Sequence, residues 1–231
     1  MTSGKSLKPY RSDSQKKSDS SYLRNMYNLS YYKEQDIKLV MDFMHSHPFA
    51  LLSGCDAKSR PVATQVPVLL ENRNGRLYLL GHVMKNTDHY KAFLQNQNVL
   101  AIFTGPHTYV SASWYSNPQT GSTWNYITIH ARGSINFLDE SSLLDILKRL
   151  TSHFENNPNS PALVEKMPDE YINKMIPAIR GFEIEVRELD NVFKLSQNRD
   201  AESFENIVKN LQASDDPGAI EIAREMRKRM S

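Results

Sequence analysis

The sequence predicts a mainly β protein of the α+β class, in which an antiparallel barrel carries several flanking helices. Short runs of β-forming residues follow one another with links of only a few residues, which favours hairpins over alternating βαβ units. Stretches with helical periodicity lie before, between and after these runs. The chain of 231 residues is 39% hydrophobic, enough to build a core without a metal or a disulfide. Together these observations predict six or seven strands around one core.

The first predicted element is a helix that begins near Glu34 and ends before Pro48. Its apolar residues recur three and four positions apart, so they share one face that the helix can bury against a core. These residues are Ile37, Val40, Met41 and Met44.

Four strand-like runs follow this helix. An Asn-Arg-Asn-Gly turn at 72–75 separates the second and third runs and is typical of a hairpin. A helix is predicted over residues 87–95, and a Gly-Pro pair at 105–106 is expected to end the fourth run. The four runs cover residues 49–55, 61–70, 76–82 and 99–103.

Residues 124–137 alternate as a strand with two different faces. Ile127 and Ile129 fall in one phase with other aliphatic residues, which suits a core, while the other phase is aromatic and polar. We expect this second face to form a binding surface. It carries Trp124, Tyr126, Thr128, His130 and Arg132.

The remaining elements are more widely spaced. Asp139 is predicted to cap a leucine-rich amphipathic helix. A loop with three prolines is expected over residues 156–168, and a short helix before Pro177. The last predicted elements are strands over 181–186 and 192–196 with a turn near Asp190 and Asn191, a helix over 200–211, and a C-terminal helix started by Asp216 and Pro217.

The net charge of +2 is unevenly distributed along the chain. The first 24 residues contain six basic and two acidic side chains, seven serines and few apolar residues. Such a segment buries too little apolar surface to order itself, so a disordered basic tail is predicted over residues 1–25. A second group of cations falls in the last turns of the C-terminal helix, where the helix dipole favours positive charge. These cations are Arg224, Arg227, Lys228 and Arg229, and both groups leave DNA contact open as an alternative.

Several classes of protein are excluded by what the sequence lacks. A single cysteine, Cys55, forms no disulfide within the chain and points to a reducing compartment. No apolar run approaches the roughly 18 residues of a membrane span, and there is no hydrophobic leader, so a cytoplasmic protein without a membrane partner is expected. The seven histidines form no metal-binding motif, so no metal site is expected. Phosphate-loop, dinucleotide-binding and serine-hydrolase motifs are also absent.

Several long strings of rare residues are too polar and aromatic for ordinary strand ends. They are PFA at 48–50, ATQVP at 63–67, GHVMKN at 81–86, GPHTYVSASWY at 105–115, TWNY at 123–126 and FKLSQNR at 193–199. In order and spacing they resemble the PaiB-type negative transcriptional regulator family. That family belongs to the FMN-binding split-barrel superfamily, together with pyridoxamine-phosphate oxidases and flavin reductases. The resemblance covers residues 26–211.

The resemblance implies a six-stranded antiparallel split barrel, a homodimer, and FMN bound at the dimer interface. Together with the composition of the tail and the predicted C-terminal helix, it divides the chain into the tail 1–25, a split-barrel domain over 26–212 with helical additions, and a C-terminal helix over 213–231. FMN carries a phosphate, a polar ribityl chain and a flat ring. Its site therefore needs cations, N–H and hydroxyl donors, and flat side chains.

The expected cofactor site centres on Lys85, which lies between a strand and a helix start, where its ammonium and free N–H groups favour an anion. Asn86 and Thr87 are the neighbouring donors, and the 194–199 string is implied to extend to the flavin from the partner subunit. The remaining candidates are Thr64, Gln65 and Val66 on a strand, His82, Ser111, the aromatic residues Trp114, Tyr115, Trp124 and Tyr126, and Lys194, Gln197 and Arg199. For the aromatic residues the alternative is packing in a dimer, and for Lys194 and Arg199 it is a structural ion pair. No catalytic residue is identified.

The chain departs from the family pattern at three places. Relatives commonly have histidine at Gln65, proline at Ala112, and an Ala-Asn-Pro-x-Trp run where this chain has residues 86–90. The last change introduces Asp88, whose charge suits a helix start but competes with a phosphate.

The expected function is that of a PaiB-like FMN-binding protein with a flavin-dependent redox or flavin-sensing role. Whether it is an FMN-dependent oxidoreductase is left open by the residues. The alternatives are a transcriptional regulator that binds DNA without flavin chemistry, and a haem-binding or haem-degrading split barrel.

Overall fold

The computed structural model describes residues 26–27 and 29–229, so the predicted tail over 1–25 lies outside the described residues. Seven strands form one sheet: β1 (Phe49–Cys55), β2 (Pro61–Pro67), β3 (Leu69–Arg73), β4 (Arg76–Met84), β5 (Asn98–Val110), β6 (Thr123–Phe137) and β7 (Ile179–Lys194). The helices of the described residues are α1 (Ile37–Ser46), α2 (Asp88–Gln95), α3 (Glu140–Glu155), α4 (Asp169–Met175), α5 (Ala201–Gln212) and α6 (Pro217–Lys228). The mainly β, α+β class is confirmed.

The sheet curls into an antiparallel half-barrel because its two edges are consecutive in sequence. Its strand order is β2-β1-β5-β6-β7-β4-β3, so β2 and β3 are the two edge strands. A single residue, Val68, links them, and its N–H donates to the carbonyl of Pro48. At the junction, a Cβ on Gly81 of β4 would lie 3.0 Å from the carbonyl oxygen of Pro67, so glycine permits the two edges to approach.

Two strand predictions were wrong because they relied on local residue type. The run over 61–70 is broken at Val68, where the chain changes its pairing partner from β1 to β4, so it forms the two strands β2 and β3. The sheet has seven strands, whereas the resemblance implied six. The turn near Asp190 and Asn191 does not exist, since β7 continues through both residues in register with β6.

The fourth predicted run, over 99–103, is much longer than expected. β5 extends to Val110 and passes the Gly-Pro pair through a shift of register between Thr104 and His107. A bulge of this kind takes Pro106, which has no N–H, out of the ladder without ending the strand.

The predicted helix starts are confirmed where a side chain caps them. Asp139 accepts a hydrogen bond from Ser142 N at 2.8 Å, and Asp216 accepts one from Gly218 N at 2.9 Å. Thr87 caps α2, and Asp200 caps α5. Each cap satisfies backbone N–H groups in the first turn of its helix.

The two faces of β6 differ as predicted. Ile127, Ile129 and Ala131 are buried on the inner face, whereas Trp124 on the outer face is 52% exposed. Helices α1, α5 and α6 contribute to the inner core, and α3 covers the outer face of β4. The outer face of β1, β5 and the first half of β6 carries the exposed side chains of Phe49, Tyr109 and Trp124, and we call it the open face.

Candidate functional site

The predicted site residues fall into two groups at opposite ends of β7. The N–H of Lys85 donates to the carbonyl of Ala178 at 2.9 Å, just before β7 begins, and Lys194 is the last residue of β7. The strand has 16 residues, and at about 3.3 Å per residue its ends are about 50 Å apart along the chain. The pocket beside Lys194 is lined by none of the described residues 61–88, so one chain does not bring Lys85 and Lys194 into a single site.

The first group lies near the barrel closure, which is the junction at which the two edge strands β2 and β3 follow one another. Lys85 is half-buried after β4, and Asn86 is exposed beside it. On the edge strand β2, Val66 is buried in the core and Thr64 shares its inner face, while Gln65 lies on the outer face opposite Leu51. Of these three residues, only Gln65 therefore places its side chain on the outer side of the sheet, next to the open face.

The start of α2 has fewer free donors than the sequence suggested. The hydroxyl of Thr87 donates to Met84 O at 2.8 Å and accepts from Tyr90 N at 3.3 Å. The carboxylate of Asp88 accepts from the N–H of His89 at 2.8 Å. Two of the N–H groups that could hold an anion are thus already paired within the helix.

A second cation near Lys85 was not found from the sequence. Arg180 on β7 lies opposite Val83 of β4, two residues along from the Ala178 that receives the Lys85 hydrogen bond. Its Nε atom is buried and has no hydrogen-bond partner. A buried donor of this kind is costly unless a ligand or water completes it. Only the long-range pairing of β4 with β7 reveals this neighbour, because the two residues are almost a hundred positions apart.

His82 lies in a different environment from Lys85. It pairs with Gly181 of β7, and the backbone of Gly181 lies against Leu143 of α3. Leu80, two residues before His82 on β4, packs against the same helix. Its Nδ1 atom is buried without a partner, and burial lowers the pKa of His82 below its ordinary value. The imidazole is thus held neutral beneath α3 rather than exposed at the barrel closure.

The second group forms a pocket of about 280 Å³ at the other end of β7, which we call the Lys194–Arg199 pocket. Its walls come from the segment before α1, from the start of β6 and from the loop after β7. The lining residues are Tyr27, Leu29, Tyr31, Tyr32, Gly121, Ser122, Thr123, Asn125, Lys194, Ser196, Asn198 and Arg199.

The two cations of this pocket contact hydroxyl and aromatic groups. The Lys194 ammonium donates to Thr123 Oγ1 and lies 5.6 Å from the ring centre of Tyr27. The guanidinium of Arg199 stacks 4.0 Å over the ring of Tyr115, whose buried hydroxyl has no partner. Neither cation forms an ion pair with any residue that the structure describes, so the structural ion pair considered as the alternative is absent there.

The side chains of Gln197 and Ser111 form hydrogen bonds with backbone groups of their own turns. Gln197 Oε1 accepts from Leu195 N at 2.8 Å, and its amide nitrogen donates to the carbonyl of Phe193. The hydroxyl of Ser111 accepts from Ser113 N at the short helical turn that follows β5. Both side chains therefore fix the shape of the loops beside the Lys194–Arg199 pocket.

The aromatic candidates divide between the core and the open face. Tyr115 is buried, and Trp114 packs half-buried against the core. Trp124 lies on the open face with its ring 6.0 Å from that of Tyr109, and Tyr126 lies opposite Lys194 in the ladder. The open face thus carries flat side chains next to the second group.

Several larger cavities lie elsewhere in the described residues. One of about 620 Å³ is lined by Cys55, Arg132 and Arg187 among others, and one of about 600 Å³ lies between α1 and α6. Within the described residues no cluster of three or more His, Cys, Asp or Glu side chains could hold a metal ion. None of the helices in the described ranges is long and apolar enough to cross a membrane.

The cations at the C-terminus have acidic partners. Arg224 pairs with Glu221, and Arg227 with Glu205. Lys228 pairs with Glu225 at 2.6 Å, and Arg229 lies between Glu225 and Glu34. The positive charge of this helix end is therefore neutralised within the chain, which leaves little of it for a DNA backbone.

The curled antiparallel half-barrel, with helices packed into its inner core and on the outer face of β4, defines a protein of the split-barrel class. The chain belongs to the family described as "Putative FMN-binding domain", whose model matches residues 26–188. It is 28% identical over 205 residues to the protease synthase and sporulation protein PAI 2 of Bacillus subtilis (strain 168), covering 89% of this chain and 98% of that protein. An uncharacterised protein of Emericella nidulans is 26% identical over 212 residues, which are 74% of this chain and 84% of that protein.

Solved structures show the same fold at low sequence identity. The FAD and haem binding protein of Mycobacterium smegmatis superposes with a TM-score of 0.53 at 15% identity, over 77% of this chain and 80% of that one. A conserved hypothetical protein of Mycobacterium tuberculosis gives 0.51 at 11% identity, over 73% and 91% of the two chains. The resemblance seen in the sequence motifs is thereby confirmed at the level of the family and the fold.

Proposed function

We propose that this protein binds FMN as a homodimer and that Lys85 and Arg180 hold the phosphate. The observation that carries the proposal is the buried, unpartnered Nε of Arg180 next to the strand end that presents Lys85. Membership of an FMN-binding family supports a flavin phosphate as the anion that completes it. A planar guanidinium and an ammonium together supply the donors that a phosphate dianion requires.

The cations of Lys85 and Arg180 supply the donors for the phosphate, rather than the N–H groups at the start of α2. Thr87 and Asp88 already pair two N–H groups of α2, so the helix contributes little to anion binding. Neither Lys85 nor Arg180 forms an ion pair within 4.0 Å among the described residues. Arg180 does have an acidic neighbour, because hydrogen bonds from Ser142 and Ser141 and the charge of Arg180 together hold the pKa of Asp139 below its ordinary value. FMN, when bound, supplies hydride or electron transfer, and the protein provides binding and orientation.

The homodimer is supported by the open face. Phe49, Tyr109 and Trp124 are each about half exposed there, and Leu51 and Ile102 lie half-buried beside one another in the ladder. Large apolar side chains spread over one sheet face are typical of an interaction surface. A second copy of the chain would cover this face and bring the flat side chains of one subunit towards the barrel closure of the other. The flavin ring could then contact residues of both subunits, as the family resemblance implies.

The experiment is a titration of the purified full-length protein with FMN, followed by visible absorbance and by quenching of flavin fluorescence. Binding at micromolar FMN is expected. Lys85→Met and Arg180→Met should each raise Kd by about tenfold, because each removes one charge-assisted contact. The matched control Lys209→Met, which removes an exposed lysine of α5, should leave Kd unchanged.

Two outcomes would overturn the proposal. A colourless sample that does not bind FMN at micromolar concentration would exclude the flavin. Binding of haemin in a parallel titration, without binding of FMN, would favour the haem alternative instead. If the methionine variants lose FMN binding and circular dichroism shows that they are unfolded, the charge-conserving Lys85→Arg variant replaces them. Lys85→Arg should bind FMN within about threefold of the wild type if charge is what matters.

A further inference from the structure

We propose that the cavity beside Cys55 is a binding site for a small organic monocarboxylate, which Arg132 and Arg187 hold. We call it the two-arginine cavity. Its volume of about 620 Å³ falls within the range of small-molecule pockets, which is roughly 300 to 1,000 Å³. None of the residues that the family resemblance implies for the flavin site is among its described lining residues. The cavity is therefore a separate site within one chain.

A row of paired residues crosses four strands at the two-arginine cavity. Ser53 of β1 pairs with Leu100 of β5, which in turn pairs with Arg132 of β6. Arg132 then pairs with Glu188 of β7. Residues that are paired in a ladder direct their side chains to the same side of the sheet. Because Arg132 shares the strand phase of the exposed Trp124, the cavity lies on the outer side of the sheet.

A β-bulge brings the second arginine to the first. The register between β6 and β7 shifts after Arg132, and Arg187 is left as the extra residue of β7. A bulge turns the extra side chain out of the regular alternation of the strand. Both arginines thereby line the same cavity. Glycine at position 133 permits this bulge, because a Cβ there would overlap the carbonyl oxygen of Glu185.

The two-arginine cavity has an excess of positive charge. Within residues 26–27 and 29–229, neither Arg132 nor Arg187 forms an ion pair. Glu188 is the single acid among the described lining residues, so one positive charge remains in excess. The field of this charge extends along β6, since burial and then the charge of Arg132 lower the pKa of His130. A guanidinium in such a place is suited to bidentate pairing with a carboxylate.

The lining favours a monocarboxylate with a hydrocarbon body over a phosphate. One excess positive charge balances a monoanion, whereas a phosphate monoester carries about −1.5 to −2 at neutral pH. The amide of Asn98 donates one hydrogen to Asn96 Oδ1 at 3.2 Å and retains a second hydrogen for a ligand. Pro61 and Leu100 give the cavity an apolar wall. Apolar contacts of this kind stabilise the hydrocarbon part of a ligand.

The test is calorimetry on the full-length protein with three probes, namely phenylacetate, the neutral phenylacetamide and phenyl phosphate. Phenylacetate should bind about tenfold more tightly than phenylacetamide, since only the carboxylate pairs with the arginines, and more tightly than phenyl phosphate. Arg187→Gln should weaken the binding of phenylacetate by about tenfold. The matched control is Arg224→Gln on α6, whose side chain is 62% exposed, and it should stay within about twofold of the wild type.

The single cysteine of the chain reports where the probe binds. Cys55 is half-buried in the two-arginine cavity, so saturating phenylacetate should slow its reaction with N-ethylmaleimide. In the charge-reversing variant Arg187→Glu, phenylacetate should no longer slow this reaction. Arg187 is exposed, so this variant is expected to fold, and circular dichroism checks that it does.

Three results would overturn the proposal. The first is equal affinity for phenylacetate and phenylacetamide, or failure of both to bind. The second is labelling of wild-type Cys55 at an unchanged rate when phenylacetate is saturating. The third is displacement of phenylacetate by one equivalent of FMN, because the cavity would then belong to the flavin site. Failure of FMN to bind would leave the expected affinities for the three probes as they are, since the cavity is built without the flavin.

Discussion

Lys33 and Asp190 form an ion pair at 2.6 Å in which neither side chain is more than about a quarter exposed. The same carboxylate accepts a hydrogen bond from the N–H of Met26 at 3.0 Å, and Lys33 also donates to Asn191 O. This pair joins the segment before α1 to the middle of the sheet. It also explains why Asp190 and Asn191, whose residue types are typical of turns, occur inside a continuous strand.

Asp190→Asn should lower the free energy of unfolding by about 1 to 3 kcal/mol, since it leaves the half-buried Lys33 ammonium without its charged partner. Urea denaturation followed by circular dichroism measures this change. The control is Asp42→Asn, which breaks the Lys38–Asp42 pair on α1, where both side chains are more than half exposed. Exposed pairs contribute little, so this control should unfold like the wild type. Equal effects of the two substitutions would contradict the anchoring role.

The open face gives a prediction about assembly. Ile102 lies at its centre, between Leu51 on β1 and His130 on β6. Ile102→Glu should convert the proposed dimer into a monomer, because burying a carboxylate among apolar side chains at an interface is strongly unfavourable. Sedimentation velocity at several concentrations measures the oligomeric state. Ile37→Glu, at a position 62% exposed on α1, should leave the dimer intact. A wild-type protein that sediments as a monomer would refute the proposed dimer directly.

Elements with a strong local signal could be predicted from the sequence. The alternation of residues 124–137 gave β6 and its two faces, and Asp139 and Asp216 gave two helix starts. The break at Val68 could not be predicted, because it depends on which distant strand pairs with each side of that residue. Local propensity describes a residue and its neighbours, whereas the ladder is decided by the whole sheet.

The residues of the candidate site also divide into those that the local sequence identifies and those that only the three-dimensional fold identifies. Lys85 could be found because it lies at a strand end before a helix with a recognisable cap. Arg180 could not, since only the β4–β7 ladder places it near Lys85. The sequence also could not show that Gln197 bonds its own turn, because that depends on the backbone path after β7. The left-handed conformation of Ser196, at φ 63°, creates that path.

His82 gives a prediction for pH dependence. Burial lowers its pKa below the ordinary value near 6.5. Below pH 6.5 the unfolded chain therefore binds a proton that the folded chain does not, and stability falls as the pH decreases towards the lower folded pKa. The full contribution is present above pH 6.5. His130, whose pKa burial also lowers, adds to the same dependence.

His82→Gln should reduce the loss of stability between pH 7.5 and pH 5.5, leaving the part due to His130. Urea midpoints at the two pH values measure the difference. His45→Gln, which changes an exposed histidine of α1, is the matched control and should retain the wild-type dependence. If His82→Gln and His45→Gln behave alike, the buried imidazole is not the source of the effect.

Asp88 provides the most direct test of the electrostatics at the proposed flavin phosphate site. Its carboxylate is exposed, folds back on the N–H of His89 at 2.8 Å, and lies three residues after Lys85. The charge suits the start of α2, but it opposes any phosphate that Lys85 attracts. Asp88→Asn removes the charge and keeps a side-chain oxygen for the same N–H. We therefore expect Asp88→Asn to tighten FMN binding by about twofold to fivefold at low salt, and the gain to shrink towards none at 1 M salt as the charges are screened. Fluorescence titration at the two salt concentrations measures this gain, with Asp42→Asn as the control for a general change in net charge. A weaker or unchanged affinity at low salt would show that the phosphate does not lie close to Lys85 and Asp88.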